Sequence, residues 1–190
     1  MNIRVLHPTP LNPVGLWHDE HAYFSRLLGQ LSRQVAVFET GQRPNYALML
    51  DIIDYLRGYS DRFHHPREEA AFARLGERCP DMAPALASLR QEHRVIAHAG
   101  ENLRELITAI LDDSLVPRGE VEAAAATYLV YYRAHIAAEE GSVLTRAEDY
   151  LTVEDWDAVN AVQPTEPYAR FGPDPEKDLR DLRHRIALES

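Results

Sequence analysis

Two stretches of this sequence use the same device. His64-His65-Pro66-Arg67-Glu68-Glu69 and His135-Ile136-Ala137-Ala138-Glu139-Glu140 each set a carboxylate four residues after an imidazole. On an α-helix that spacing puts both groups on one face, about one turn apart. A water-exposed helix gains little from such a pair. Inside a bundle, two pairs with further histidines form a cation site, because imidazole with carboxylate suits iron, manganese or zinc.

The chain has helices to position them. Val14, Trp17, His21, Phe24, Leu28, Leu31, Val35 and Phe38 step by threes and fours. Leu86, Leu89, His93, Ile96, Gly100, Leu103, Ile107 and Ile110 do the same, as do Val121, Ala125, Tyr128, Tyr132, His135, Glu139 and Ser142. A less regular stripe joins Met49, Ile53, Leu56, Ser60, His64, Glu68, Phe72 and Leu75. This is the helix period, and no β-alternation competes with it. Breaks fall at Gly41–Pro44, Cys79–Asp81 and Asp112–Gly119. Short connections between long helices predict an all-α, up-down-up-down four-helix bundle. A short fifth helix follows from about Val153 to Val162, with Thr152 as its N-cap. Pro164, Pro167, Gly172, Pro173 and Pro175 then form a loop before a C-terminal helix near Glu176 to Leu188. Residues 1–162 are read as the bundle, with its core at 16–147, and 163–190 as linker and terminal helix. Pro66 removes a backbone bond to Arg62, which predicts a kink or bulge beside the candidate ligands.

The stripes place one histidine of each helix inward: His21, His64, His93 and His135. His65 lies among Asp61, Arg62 and Glu69, and His98 among Arg94, Glu101, Asn102 and Glu105, so both are expected to face water. His7 and His184 sit in the terminal segments. Antiparallel residues at one depth should have their numerical midpoint in the connecting loop. The midpoints of His21/His64, His64/His93 and His93/His135 all fall in or beside the three breaks. At about 1.5 Å rise per residue, four imidazoles with Glu68 and Glu139 share one layer. Two carboxylates withdrawn from water without partners cost several kcal/mol, a conflict that bound cations resolve. His18, one turn before His21, is a further candidate that adds to it or replaces it. Glu69 and Glu140 read as surface charges or as partners of the ligands. Tyr55, Tyr59, Tyr128, Tyr131 and Tyr132 read mainly as packing.

Composition narrows the function. Of 190 residues, 45% are hydrophobic and 26% charged, as in a globular chain, and the formal net charge of −10 disfavours nucleic acid and anionic membranes. Cys79 is the single cysteine, so no internal disulfide forms and no thiolate metal site is expected. No stretch has the length of a signal peptide's apolar run or a membrane span, and a reducing cytoplasm is the expected setting.

His18-Asp19-Glu20-His21, His64-His65-Pro66-Arg67-Glu68-Glu69, Glu92-His93 and His135-Ile136-Ala137-Ala138-Glu139-Glu140 together resemble the hemerythrin-like HHE cation-binding domain of the bacterial hemerythrin family, over about Leu16 to Trp156. The combination is specific where a lone HxxxE is not. The resemblance implies two iron ions bridged by two carboxylates and an oxo or hydroxo group. Glu68 and Glu139 would be the bridges, and His21 (or His18), His64, His93 and His135 the terminal ligands. Oxygen-carrying hemerythrins have a second histidine four residues after that of the third helix, where this chain has Ala97. They also place an aspartate five residues beyond the fourth-helix histidine, where it has Glu140. Both departures resemble the bacterial branch associated with sensing, nitric oxide or oxidative stress, and iron-centre repair.

Three functional classes follow. The first is a binding or sensing module that takes up O2, NO or iron itself, with Phe24, Phe63 and Phe72 lining a dry pocket. An enzyme reducing peroxide or NO at the same centre would need a redox partner, and no flavin motif or reductase site is visible. The third is a structural polar layer that only sets helix register. The site chemistry favours the first, with iron-centre repair or iron donation as a variant.

Overall fold

The computed structural model describes residues 12–164, 168, 171–172 and 174–189. His7, Pro167 and Pro173 of the terminal segments lie outside them. Among the described residues the structure is all-helical, with no strand.

The first helix, α1 (Val14–Glu39), buries Trp17, His21, Phe24, Leu28 and Leu31 along the counted stripe. The chain turns at Gly41, whose φ of +80° is a conformation that costs glycine little. Helix α2 (Tyr46–Tyr55) opens on Asn45, whose side chain accepts from the Leu48 amide. It passes without a break through a π-helical stretch, Leu56–His64, into α3 (His65–Arg78). A 3-10 turn at Pro80–Met82 leads to α4 (Ala83–Leu111). Helix α5 (Arg118–Ala138) continues through a second π-helical stretch, Glu139–Val143, into α6 (Leu144–Tyr150). Thr152 caps α7 (Val153–Asn160) in a reciprocal box with Asp155. Asp174 caps α8 (Pro175–Leu188).

The distortion expected at Pro66 is the first π stretch. It ends two residues before the proline, and since the helix is continuous there, the widened turn is what accommodates the ring and missing N–H of Pro66. The second π stretch corrects the sequence reading of the fourth helix. The stripe does not run on to Ser142, which is exposed; Val143, Leu144 and Ala147 are buried instead. A π turn holds one residue more than an α turn, so the inward face slips by one position beyond Glu139.

Helix α1 packs on α2 and α5, α4 on α2 and α5, α3 on α4, α6 and α7, and α8 on α2. Two apolar clusters result. One gathers Leu28, Leu31, Ile53, Leu103, Ile107 and Tyr128, and α8 adds Leu179, Leu182 and Ile186 to it. The other gathers Trp17, Phe72, Leu75, Leu86, Val143 and Trp156. The polar residues His21, His64, Glu68, His93, His135 and Glu139 are buried where the clusters meet: Phe24 of the first and Trp17 and Phe72 of the second pack against His64 and His93. No helix among the described residues is long and apolar enough to cross a membrane.

Helices α4 and α5 approach closely at Gly100, where a Cβ would lie 2.9 Å from the ring of buried Tyr128. We expect Gly100→Val to overpack this contact and cost about 1–3 kcal/mol. A thermal melt checks it, and an unchanged midpoint would contradict the packing described.

Candidate metal centre

Each of the four long helical segments delivers one imidazole to the same depth. His21 comes from α1, His64 from the end of the first π stretch, His93 from α4 and His135 from α5; all are buried. They meet in two pairs, Nε2 to Nε2: His21 and His64 at 2.9 Å, His93 and His135 at 3.1 Å. Glu68 and Glu139, both fully buried, span the two pairs. Glu68 Oε1 lies 3.0 Å from His64 Nε2 and 3.3 Å from His21 Nε2, while its Oε2 lies 3.5 Å from His93 Nε2. Glu139 Oε2 lies 3.4 Å from His21 Nε2, and its Oε1 3.2 Å from His135 Nε2 and 3.8 Å from His93 Nε2.

The opposite ring nitrogens are engaged in an ordered way. His64 Nδ1 donates to Glu20 (2.6 Å), His93 Nδ1 to Glu69 (3.1 Å), His135 Nδ1 to Glu92 (3.2 Å) and His21 Nδ1 to Glu140 (2.7 Å). Each helical segment thus lends a carboxylate to the histidine of the next, and the fourth returns one to the first. A carboxylate only accepts, so every Nδ1 carries its proton and every Nε2 faces inward. A carboxylate behind a histidine in this way is the usual support of a metal-ligating imidazole.

The inner groups fit a cation. All four oxygens of Glu68 and Glu139 are buried and accept no hydrogen bond, since the nearby Nε2 atoms are close without being aligned as donors. Oxygens so placed cost several kcal/mol unless a positive charge sits among them. Two sets of donor atoms each lie within 4.8 Å of one another: His21, His64 and Glu68, and His65, Glu68, His93 and His135.

His65 corrects the sequence reading. It is buried rather than turned to water, its ring stacked on His93 with centroids 4.1 Å apart and its Nε2 bonded to Ser60 Oγ at 2.9 Å. Tyr132 donates to the same hydroxyl. An interior helix has neighbours on two flanks, so one residue's rotation carries His65 from the α1 side to the α4 side, not into solvent. His18 stays exposed and bonds Glu140 at 2.7 Å, outside both donor sets. His98 is exposed as expected. Phe24 packs edge-on to His64 and Phe72 stacks on His93, whereas Phe63 stacks on Tyr59 instead of lining the centre. The sequence reading gave Glu20 and Glu92 no role. Their signal was adjacency: each acid of the outer ring sits one position from an inward residue of its own helix.

The hemerythrin HHE cation binding domain matches residues 12–147 of this chain. No curated protein and no solved structure matches it.

Burial alone would lower the His64 pKa, but Glu68 and the hydrogen bond to Glu20 outweigh it and hold it at about 10. Against the same burial, Glu139, Glu68 and Glu69 hold His93 at about 11. Burial would raise Glu68, yet His64, His21 and His93 draw it well below the usual carboxylate range. Burial, with His93 beside it, pushes His65 well down and keeps it neutral. The stability contributed by His64 and His93 in the metal-free chain is therefore complete below their ordinary value of 6.5 and lost as pH rises through about 10 to 11. That of Glu68 is present above 4.5 and lost as pH falls. A cation needs the Nε2 lone pairs and must displace these protons. We expect uptake of a divalent cation to release protons into weak buffer, with apparent affinity rising about tenfold per pH unit for each proton displaced. Titration at several pH values checks this; a flat affinity from pH 6 to about 9 would contradict it.

Proposed function

We propose that this chain, which belongs to the hemerythrin HHE cation-binding domain family, holds two iron ions and uses them to bind or sense O2 or NO, or to hold iron itself. The observation that carries this is the set of four buried carboxylate oxygens, without hydrogen bonds, between two pairs of inward Nε2 atoms. In this reading His21 and His64 would hold one ion and His93 and His135 the other, and Glu68 and Glu139 would supply the carboxylates. Manganese and zinc suit the same donors. Bound iron supplies the redox-active, ligand-accepting centre that the side chains alone lack.

The chain's own residues shape what reaches that centre. Trp17, Phe24 and Phe72 pack against the imidazoles and exclude water on their side. A cleft of about 230 Å³ reaches His65 and His93 between α3 and α4, with Pro66 and Ala97 in its walls. Its size suits a small molecule, and Ala97 leaves it open where a larger side chain would close it. We read the four long segments as an up-down-up-down bundle in residues 1–162, with 163–190 appended, in a cytoplasmic protein. The imidazole pairs at one depth support that order, because their midpoints fall at the connections between helices.

Protein purified from iron-replete cells should carry two irons per chain. Glu139→Gln should lose most of that metal and melt earlier than the wild type, while the two metal-free proteins should melt within a few degrees of each other. A wild-type preparation that is metal-free yet equally stable would overturn the reading. In the iron-loaded protein, near-ultraviolet charge-transfer absorption should develop on exposure to O2 or NO. Ala97→Phe should slow its onset about tenfold or more by narrowing the cleft, without lowering iron content. An unchanged rate would place the entry elsewhere.

A further inference from the structure

We propose that the outer face of α5, with the groove it forms against α4, is where a second copy of this chain docks about a two-fold axis. The groove encloses about 610 Å³, and Val95, Ala99, Leu106 and Ala124 give it an apolar floor. Beside it α5 lacks the charged outer face of a surface helix. Apart from His135, Arg133 is the only charged or titrating cationic side chain from Ala123 to Ala138, and it turns away to donate to the Leu28 carbonyl of α1 at 3.2 Å. Besides Arg133, the exposed positions are Ala123, Ala126, Thr127, Val130, Tyr131, Ala134, Ala137 and Ala138, with Val130 at 65% and Tyr131 at 45% exposure. A helix with so little polar surface on its outward side belongs in an interior. The core covers one side of α5 through Ala125, Tyr128 and Tyr132, and the other side is left to a partner.

The charges around the groove say which partner. Arg94 and His98 stand at the end level with the imidazoles, and Glu105 and Glu120 lie toward the α4–α5 connection. A two-fold axis near Asn102 and Thr127 reverses the second copy. It brings the basic end of each groove to the acidic end of the other, the twice-made contact that an isologous interface requires. A partner of uniform charge would mispair one end. With 21 residues α5 spans about 30 Å, and the α4 flank lies one helix spacing of about 10 Å away. The two helices side by side are about 20 Å across, so the strip covers roughly 600 Å², at the lower end of the range around 800 Å² per partner found in specific interfaces. The proposal does not depend on the metal reading.

Sedimentation velocity of the full chain, with and without iron, tests it. The wild type should be a dimer with a dissociation constant below about 100 µM. Val130→Arg should raise that constant at least a hundredfold while helical circular dichroism and the melting midpoint stay unchanged. Arg94→Glu and Glu120→Arg should each weaken the dimer about tenfold, and the two together should recover most of the loss, since each reversed charge then meets another. A wild type that stays monomeric at about 100 µM, whatever else covers that face, overturns the proposal. So does a dimer that Val130→Arg leaves intact, or a double charge reversal that recovers nothing.

Discussion

Everything at the centre depends on the direction in which four imidazoles point. A histidine has two nitrogens, and a buried ring can satisfy either one. Here Glu140, Glu20, Glu69 and Glu92 bind the four Nδ1 atoms and leave the four Nε2 atoms no direction but inward. Because each acid comes from the helical segment next to the one it serves, ligand orientation and helix neighbourhood are a single constraint. A helix that rotated or slid would lose its own histidine's support and withdraw the carboxylate it lends. The ring therefore does for register what a buried polar residue does in a coiled coil, making wrong alignments costly without adding much to stability.

The inner acids make the opposite demand. Glu68 and Glu139 lie fully buried, with no hydrogen bond to any of their oxygens. Raised imidazole pKa values show the metal-free chain's response, which is to hold protons where cations fit. Protons are an incomplete answer. An N–H points along one line, whereas a cation attracts from every side and can accept both nitrogens of a pair. The apolar surroundings sharpen the choice between proton and metal, since water is not there to screen it.

Much of this was legible in the sequence. The stripes put the six inner residues on core faces, the loop midpoints put them at one depth, and Thr152 announced its helix. What escaped came from treating each helix as having one inward line with a fixed period. His65 and the outer acids sit one position from that line, where a side chain meets the adjacent helix rather than solvent. The π stretches were also partly written in the pattern. Leu56, Ser60, His64, Glu68 and Phe72 advance by fours, which on an ideal α-helix would carry the last about 160° around from the first. All five are buried, so the helix must turn less per residue there. The fourth helix carries the same run of fours in His135, Glu139, Val143 and Ala147, all buried, and a stripe that steps by three from Glu139 to Ser142 overlooks it.

The two distortions also bear on cause. Pro66 offers a ready explanation for the first, because it lacks a donor and crowds the preceding turn. The second has no proline, yet it begins at Glu139, on the other helix that pairs a buried histidine with a buried acid four residues later. The feature common to both is the HxxxEE sequence, in which one glutamate must enter the interior while the next reaches a histidine on a neighbouring helix. An undistorted α-helix sets successive side chains about 100° apart and packs its turns too regularly to satisfy both targets and the apolar residues on either side. A wider turn close to the acids relaxes that conflict, as π turns do at many functional sites. The proline is then best understood as an accommodation, placed where the helix has already opened, and the centre itself as the reason both helices open.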